Sequence, residues 1–259
     1  GSWVGLRAAA REWALPLGSA LPVAPEAPRL RANALLHQET IKYLKENSLN
    51  LEGILITHHH FDHTGGIEDM LKFKSVDVYG PVNNISRIDK QLKDGDLISI
   101  IGIDFEIIEI PGHTLDHIAF FSNNNGKPIL FCGDTIFSSG CGRVFEGTFE
   151  QMHESVLKLK SLPVNTKIYA GHEYTQSNLQ FAMEVEPLNQ KLISRYNDVQ
   201  NLLNKGIPTL PTTLELELEV NPFLRCQTSE VQKSVVKKFN TSNHEDEIFK
   251  ALRQWKDNY

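Results

Sequence analysis

Thr57-His58-His59-His60-Phe61-Asp62-His63 places four histidines and an aspartate within six residues. Each imidazole so placed must be solvated, paired or bound to a metal. The short apolar run Gly53-Ile54-Leu55-Ile56-Thr57 reads as a strand that delivers the cluster. Gly65-Gly66 then breaks the chain before Ile67-Glu68-Asp69-Met70-Leu71, which reads as a helix start. In an extended loop His58 and His60 point the same way, while Asp62 and His63 reach a second point close by. One loop thus supplies two metal positions. A merely histidine-rich surface loop is the bland alternative, and partners downstream argue against it.

Those partners recur at three strand ends. Pro111-Gly112-His113-Thr114 closes the strand ending at Ile110. Cys132-Gly133-Asp134-Thr135 closes the next apolar strand, and Ala170-Gly171-His172-Glu173 a third. A lone His or Asp at a strand end is more often a cap. Three Gly-preceded ligand types beside an HxHxDH loop are a set. His58, His60 and His113 are expected to form one site and Asp62, His63 and His172 the other, with Asp134 bridging. Such nitrogen and oxygen ligands suit zinc, and also iron or manganese. His59 has reversed parity and His117 lies in a strand, so both read as non-ligands.

Around these motifs the chain reads as interleaved strands and helices. A short helix runs to Asn47 and another from Gly66 to about Phe73. Strands follow at 76–79, 97–100 and 104–110. The pair 117–121 and 128–132 flanks the turn Asn123-Asn124-Asn125-Gly126, a hairpin signal. A helix over 149–162 leads to a strand at 167–170. This pattern predicts an α/β fold with two stacked sheets covered outside by helices. Beyond Gly171 helices dominate, at 179–186, 188–204, 230–239 and 245–256. Leu214-Glu215-Leu216-Glu217-Leu218-Glu219-Val220 alternates strictly and reads as an extended segment. The expected domains are an atypical segment at 1–32, a catalytic domain at 33–175 and a helical domain at 176–259.

Composition bounds the function. The 259 residues suffice for a substantial core, and 41% hydrophobic with 22% charged residues is ordinary for a globular chain. A net charge of −6 argues against nucleic acid, and no apolar run approaches the roughly 18 residues of a membrane span. Three cysteines without CxxC spacing favour a reducing, cytoplasmic setting, and a monomer is expected. Residues 1–32 hold eight Ala, four Pro and four Arg against two Glu. With Gly1-Ser2 resembling a cloning remnant, they read either as a leader or foreign segment or as an irregular part of the fold.

THHHFDH, PGHT, GDT and GHEY, in this order, resemble the metallo-β-lactamase superfamily. Residues 139–143, 146–148, 171–175 and Asn221-Pro222-Phe223-Leu224-Arg225 resemble within it glyoxalase II, the hydroxyacylglutathione hydrolases. The resemblance runs from about Ile41 to the C-terminus. It implies an αβ/βα sandwich with a C-terminal helical domain, and hydrolysis of S-D-lactoylglutathione to D-lactate and glutathione. It also implies two divalent metals that lower the pKa of a shared water, with Asp62 and Asp134 holding them and orienting the nucleophile. Arg143, Tyr174, Arg253 and Lys256 are the implied glutathione contacts. Arg253 and Lys256 share one face if their segment is helical. Phe145 stands where some members have Tyr, Arg143 where some have Lys, and Asp116 where GHTxGH has Gly, next to the ligands. The family's opening Asp-Asn-Tyr and Asp-Pro-Gly segments are absent from residues 1–40. A β-lactamase, a mono-iron persulfide dioxygenase or a silent member are the competing readings; no Gly-x-Ser-x-Gly elbow supports a serine hydrolase.

Overall fold

The computed structural model describes residues 36–259, so the expectations for residues 1–32 lie outside the described residues. Helix α1 (Leu36–Glu46) leads into strand β1 (Ile54–Leu55), the single turn α2 (Phe61–Thr64) and helix α3 (Ile67–Phe73). Strands β2 (Val78–Pro81) and β3 (Lys90–Leu92) pair in parallel with β1 in the order β1-β2-β3. A second sheet begins with β4 (Leu97–Ile100), β5 (Ile103–Glu109), β6 (Ile118–Ser122) and β7 (Ile129–Gly133), each antiparallel to the next. The turn at 123–126 joins β6 to β7, as its composition predicts. A small hairpin, β8 (Ile136–Phe137) with β9 (Gly140–Cys141), follows. Helix α4 (Phe149–Lys160) crosses to β10 (Lys167–Ala170), parallel to β7.

A two-residue period in the strands sorts the core into layers. On β5, β6 and β7 the residues Phe105, Ile107, Phe120 and Phe131 turn inward to meet Leu55 and Leu92 of the first sheet. Ala119, Phe121, Leu130 and Cys132 face the opposite way, onto the second sheet's helices. Ile54, Ile56 and Val78 face α1 and α3. The order is therefore helix, sheet, sheet, helix, the αβ/βα sandwich. Thr148 starts α4 with a reciprocal capping box, its hydroxyl taking the Gln151 N–H while the Gln151 side chain takes its own.

The remaining chain is helical: α5 (Thr175–Val185), α6 (Gln190–Asn204), α7 (Leu214–Val220), α8 (Ser229–Phe239) and α9 (Glu245–Asp257). One short strand, β11 (Thr212–Thr213), returns to the edge of the second sheet beside β10. Helix α7 corrects the expectation of an extended segment at 214–220. Leu and Glu are both good helix formers, and Thr213 caps the turn by accepting the Leu216 N–H. The buried residues are Leu214, Glu217 and Val220, a spacing of three, so one member of the buried face is a carboxylate. Glu217 is fully buried because donors converge on it. The Ser138 and Thr212 hydroxyls, the Ser139 N–H and the Asn221 amide lie 2.6–3.1 Å from its oxygens. Burial nevertheless pushes its carboxyl above the ordinary value.

This knot fastens the C-terminal helices to the β8–β9 hairpin, with Asn221 also donating to Phe137 O and Gly140 O. Orphaned buried donors cost about 1–3 kcal/mol each. E217A is expected to lower stability by about 3 kcal/mol or more, read as a shift in urea midpoint at unchanged slope. A midpoint equal to the wild type would show the knot to be energetically idle.

Candidate metal centre

Strands β5, β7 and β10 run in the same direction, so their C-terminal ends open on one edge of the sandwich. His113, Asp134 and His172 follow those ends, and the loop after β1 brings His58 and His60 to the same edge. Turn α2 then rotates Asp62 and His63 towards a second point. His58, His60 and His113 offer nitrogen atoms within 4.8 Å of one another, as do the donor atoms of Asp62, His63 and His172. His113 Nδ1 donates to Arg143 O at 2.7 Å, leaving Nε2 to face His60 Nδ1 at 3.0 Å. Asp134 stands between the two sets. Its Oδ2 lies 3.6 Å from His113 Nε2 and 3.2 Å from His172 Nε2, while Oδ1 lies 3.3 Å from His63 Nε2. His172 Nε2 is also 3.1 Å from Asp62 Oδ2.

Glycines make the approach possible. A Cβ on Gly171 would overlap Asp134 Oδ1. On Gly133, whose φ is +49°, it would sit 2.6 Å from Thr57 Oγ1 and 2.7 Å from the His117 ring.

The donor set fits divalent cations. His58 Nε2 is buried without a hydrogen-bond partner, a costly position for a lone pair unless a cation takes it. Burial, with the His117 and His63 imidazoles close by, holds the His58 ring well below the ordinary imidazole value, so it stays a neutral ligand type. Burial lowers His113 in the same way. The second set asks for positive charge more directly. Burial would lower His172, but hydrogen bonds to Asp134 and Asp62 outweigh it and raise it to about 9. The hydrogen bond from His172 brings Asp62 down to about 2. Burial would raise Asp134, yet His172 and His63 hold it well below the carboxylate range. Ligand-atom separations near 3.3 Å match roughly what metal–ligand bonds of 2.0–2.1 Å produce in a tetrahedron.

His59 does not join either set. Its Nδ1 lies 2.9 Å from Asp116 Oδ1 and its Nε2 3.1 Å from Glu146 Oε1. With one carboxylate on each ring nitrogen, it forms a bracket tying the histidine loop to the turns at 113–116 and 145–147. Thr114 and Asn83 also donate to Asp116. His117, likewise outside both sets, is completely buried behind His58.

The four expected substrate contacts fall into two pairs. Tyr174 is half exposed, its ring stacked on His172 at 5.0 Å. Lys256 Nζ donates to Ser177 O at 3.2 Å, one turn from Tyr174. Arg143 is exposed and pairs with Asp257 at 3.1 Å, and Arg253 reaches the same carboxylate at 3.2 Å. Arg253 is otherwise buried, its Nη1 donating to Cys141 O and its guanidinium lying over Phe223. The sequence reading missed Asp257 as the group that joins the two arginines. Its signal was an acid four residues after Arg253, one position beyond the expected helix at 245–256, which the structure extends to Asp257.

The family model for the metallo-beta-lactamase superfamily matches residues 23–172, and that for the hydroxyacylglutathione hydrolase C-terminus matches residues 173–259. The hydroxyacylglutathione hydrolase of Photobacterium profundum is 48% identical over 85% of this chain and 86% of its own length. That of Idiomarina loihiensis is 45% identical over 85% and 87%. Among solved structures, ETHE1 from Myxococcus xanthus superposes with a TM-score of 0.57 at 21% identity, covering 87% of this chain and 85% of its own. The BLEG-1 B3 metallo-beta-lactamase gives 0.53 at 22%, covering 73% and 84%. At that identity the likeness speaks to the fold alone.

Proposed function

The chain belongs to the hydroxyacylglutathione hydrolase family of the metallo-β-lactamase superfamily, and from that membership we infer a thioester hydrolase that converts S-2-hydroxyacylglutathiones, S-D-lactoylglutathione above all, to the 2-hydroxy acid and glutathione. The observation that carries the reading is Asp134, a buried carboxylate whose oxygens face both nitrogen sets. We take His58, His60 and His113 with Asp134 as one metal site, and Asp62, His63 and His172 with Asp134 as the other. Zinc is the metal that the donors suit best, with iron and manganese compatible. Two divalent cations bound there would lower the pKa of a shared water and polarise the thioester carbonyl.

The chain's own residues do the rest. Arg143 O holds the His113 proton on Nδ1, which keeps Nε2 directed at the centre. His172, raised to about 9 by Asp134 and Asp62, would have to give up that proton to serve as a ligand, so metal loading would release protons. The departing thiolate is a good leaving group and needs no strong protein acid. Residues 33–175 supply this chemistry in our reading, and residues 176–259 the substrate grip. Arg143, Tyr174 and Lys256 stand at its rim, with cations suited to glutathione's carboxylates. Among the described residues no helix is long and apolar enough to cross a membrane, and Cys132, Cys141 and Cys226 are buried free thiols. We propose a cytoplasmic setting, and a monomer.

The test is S-D-lactoylglutathione turnover before and after chelation, with zinc, iron or manganese returned. Activity should vanish on chelation and recover with about two metals per chain. Oxygen uptake with a glutathione persulfide at one iron per chain, and no thioester cleavage, would overturn the reading.

Lys256 adds a pH signature. Burial, and then the Arg253 guanidinium, lower it to about 8. It is a cation below that value and neutral above, so kcat/KM for glutathione thioesters should fall as pH rises through about 8. K256R, charged throughout, should remove that inflection. A wild-type profile that stays flat well above that value would exclude Lys256 from substrate binding.

A further inference from the structure

His117 touches neither ligand set's open side, yet two of the centre's groups rest on it. It is fully buried at the entry to β6. The Asp134 N–H donates to His117 Nε2 at 3.1 Å, and the His117 ring stacks on His58 with centroids 4.5 Å apart and planes 15° from parallel. Because Nε2 accepts, the proton sits on Nδ1, which faces Ile118 O at 3.2 Å. The missing side chain at Gly133 leaves room for this contact, since a Cβ there would press on the ring. The next residue closes the frame: the Ile118 N–H donates to Thr57 O at 2.9 Å, at the start of the histidine loop.

We propose that His117 is the positioning residue of the two-metal centre, fixing the backbone of Asp134 through one hydrogen bond and the ring plane of His58 through stacking. The proposal rests on the two-metal reading of the site and deepens it. One imidazole sets the geometry of a ligand shared by both metals and of a ligand to one of them. Groups that orient ligands typically govern metal affinity by about 10–100-fold.

Two substitutions separate the contacts. H117F keeps an aromatic face against His58 but cannot accept from Asp134. H117Q can bring Oε1 to the place of Nε2 and loses the stack. Competitive titration with cobalt(II) should find H117F weakened by about 10–100-fold, with a changed absorption spectrum. Its kcat should fall while KM stays within about two-fold, because His117 meets no substrate. H117Q should recover much of the affinity. H117F or H117Q binding two cobalt ions with wild-type affinity and spectrum would overturn the proposal, since each lacks one of the two contacts. Nitrogen NMR of the metal-free wild type needs no folded variant. It should show the His117 proton on Nδ1, and a proton on Nε2 would also overturn the proposal. A chain inactive on glutathione thioesters whose H117F still loses metal would reject the substrate and leave His117's role standing.

Discussion

D134A is expected to lose at least about 100-fold in kcat and to hold fewer than two metals per chain. Groups that merely orient ligands are worth roughly 10–100-fold, and a shared ligand must exceed them. The carboxylate is buried and faces His113, His63 and His172 at 3.2–3.6 Å, so it reaches both sets at once. Its removal also strips His172 of one of the two carboxylates that raise it to about 9. The cation preference of the second set should therefore weaken with the bridge. D134N, which keeps the shape and loses the charge, should resemble D134A in metal content rather than the wild type. Elemental analysis alongside turnover decides. Two metals per chain with near-normal kcat in D134A would remove Asp134 from the bridging place.

Arg253 and Lys256, adjacent on the same helical face, are expected to fail differently. Arg253 is 4% exposed. Its Nη1 donates to Cys141 O and, at 3.5 Å, to Gly142 O, and its Nη2 donates to Asp257. R253A leaves those carbonyls without their donor, leaves Asp257 to Arg143 alone and opens space beside Phe223. A buried acceptor left without its donor costs about 1–3 kcal/mol. For a chain of this size each kcal/mol lowers Tm by roughly 2–4 °C. Activity should fall with stability, since Gly142 abuts the Asp134 backbone. K256A should melt almost like the wild type and raise KM several-fold at unchanged kcat. Its effect should be larger for glutathione thioesters than for small neutral thioesters, which carry no carboxylate, and should shrink as salt screens the attraction. An R253A variant of wild-type Tm with only a raised KM would make Arg253 a surface anchor instead.

The sequence by itself determined the family and the layer order. THHHFDH, PGHT, GDT and GHEY are local signals, each legible because a strand end, a glycine and a ligand type are neighbours in the chain. A strand's period of two is a property of its own backbone, but Ile118–Ser122 and Ile129–Gly133 are buried throughout, so the fold decides which of their faces meets the other sheet. Helix α7 shows the limit of that logic. Leu-Glu repetition carries a period of two, but the segment coils because both residues favour helix and because Glu217 can be buried. That burial depends on Ser138 and Ser139, which stand 79 and 78 residues away in the chain, where no local window reaches. His117 and Arg253 show the same limit. The strand reading kept His117 out of the ligand sets without naming a partner for it, and the resemblance made Arg253 a glutathione contact. Only the tertiary structure brings the Asp134 N–H to one and the Cys141 carbonyl to the other. Where a polar group's partners come from distant strands, the fold decides whether it is exposed, paired or structural, because desolvation and hydrogen bonding are settled by the company that burial supplies.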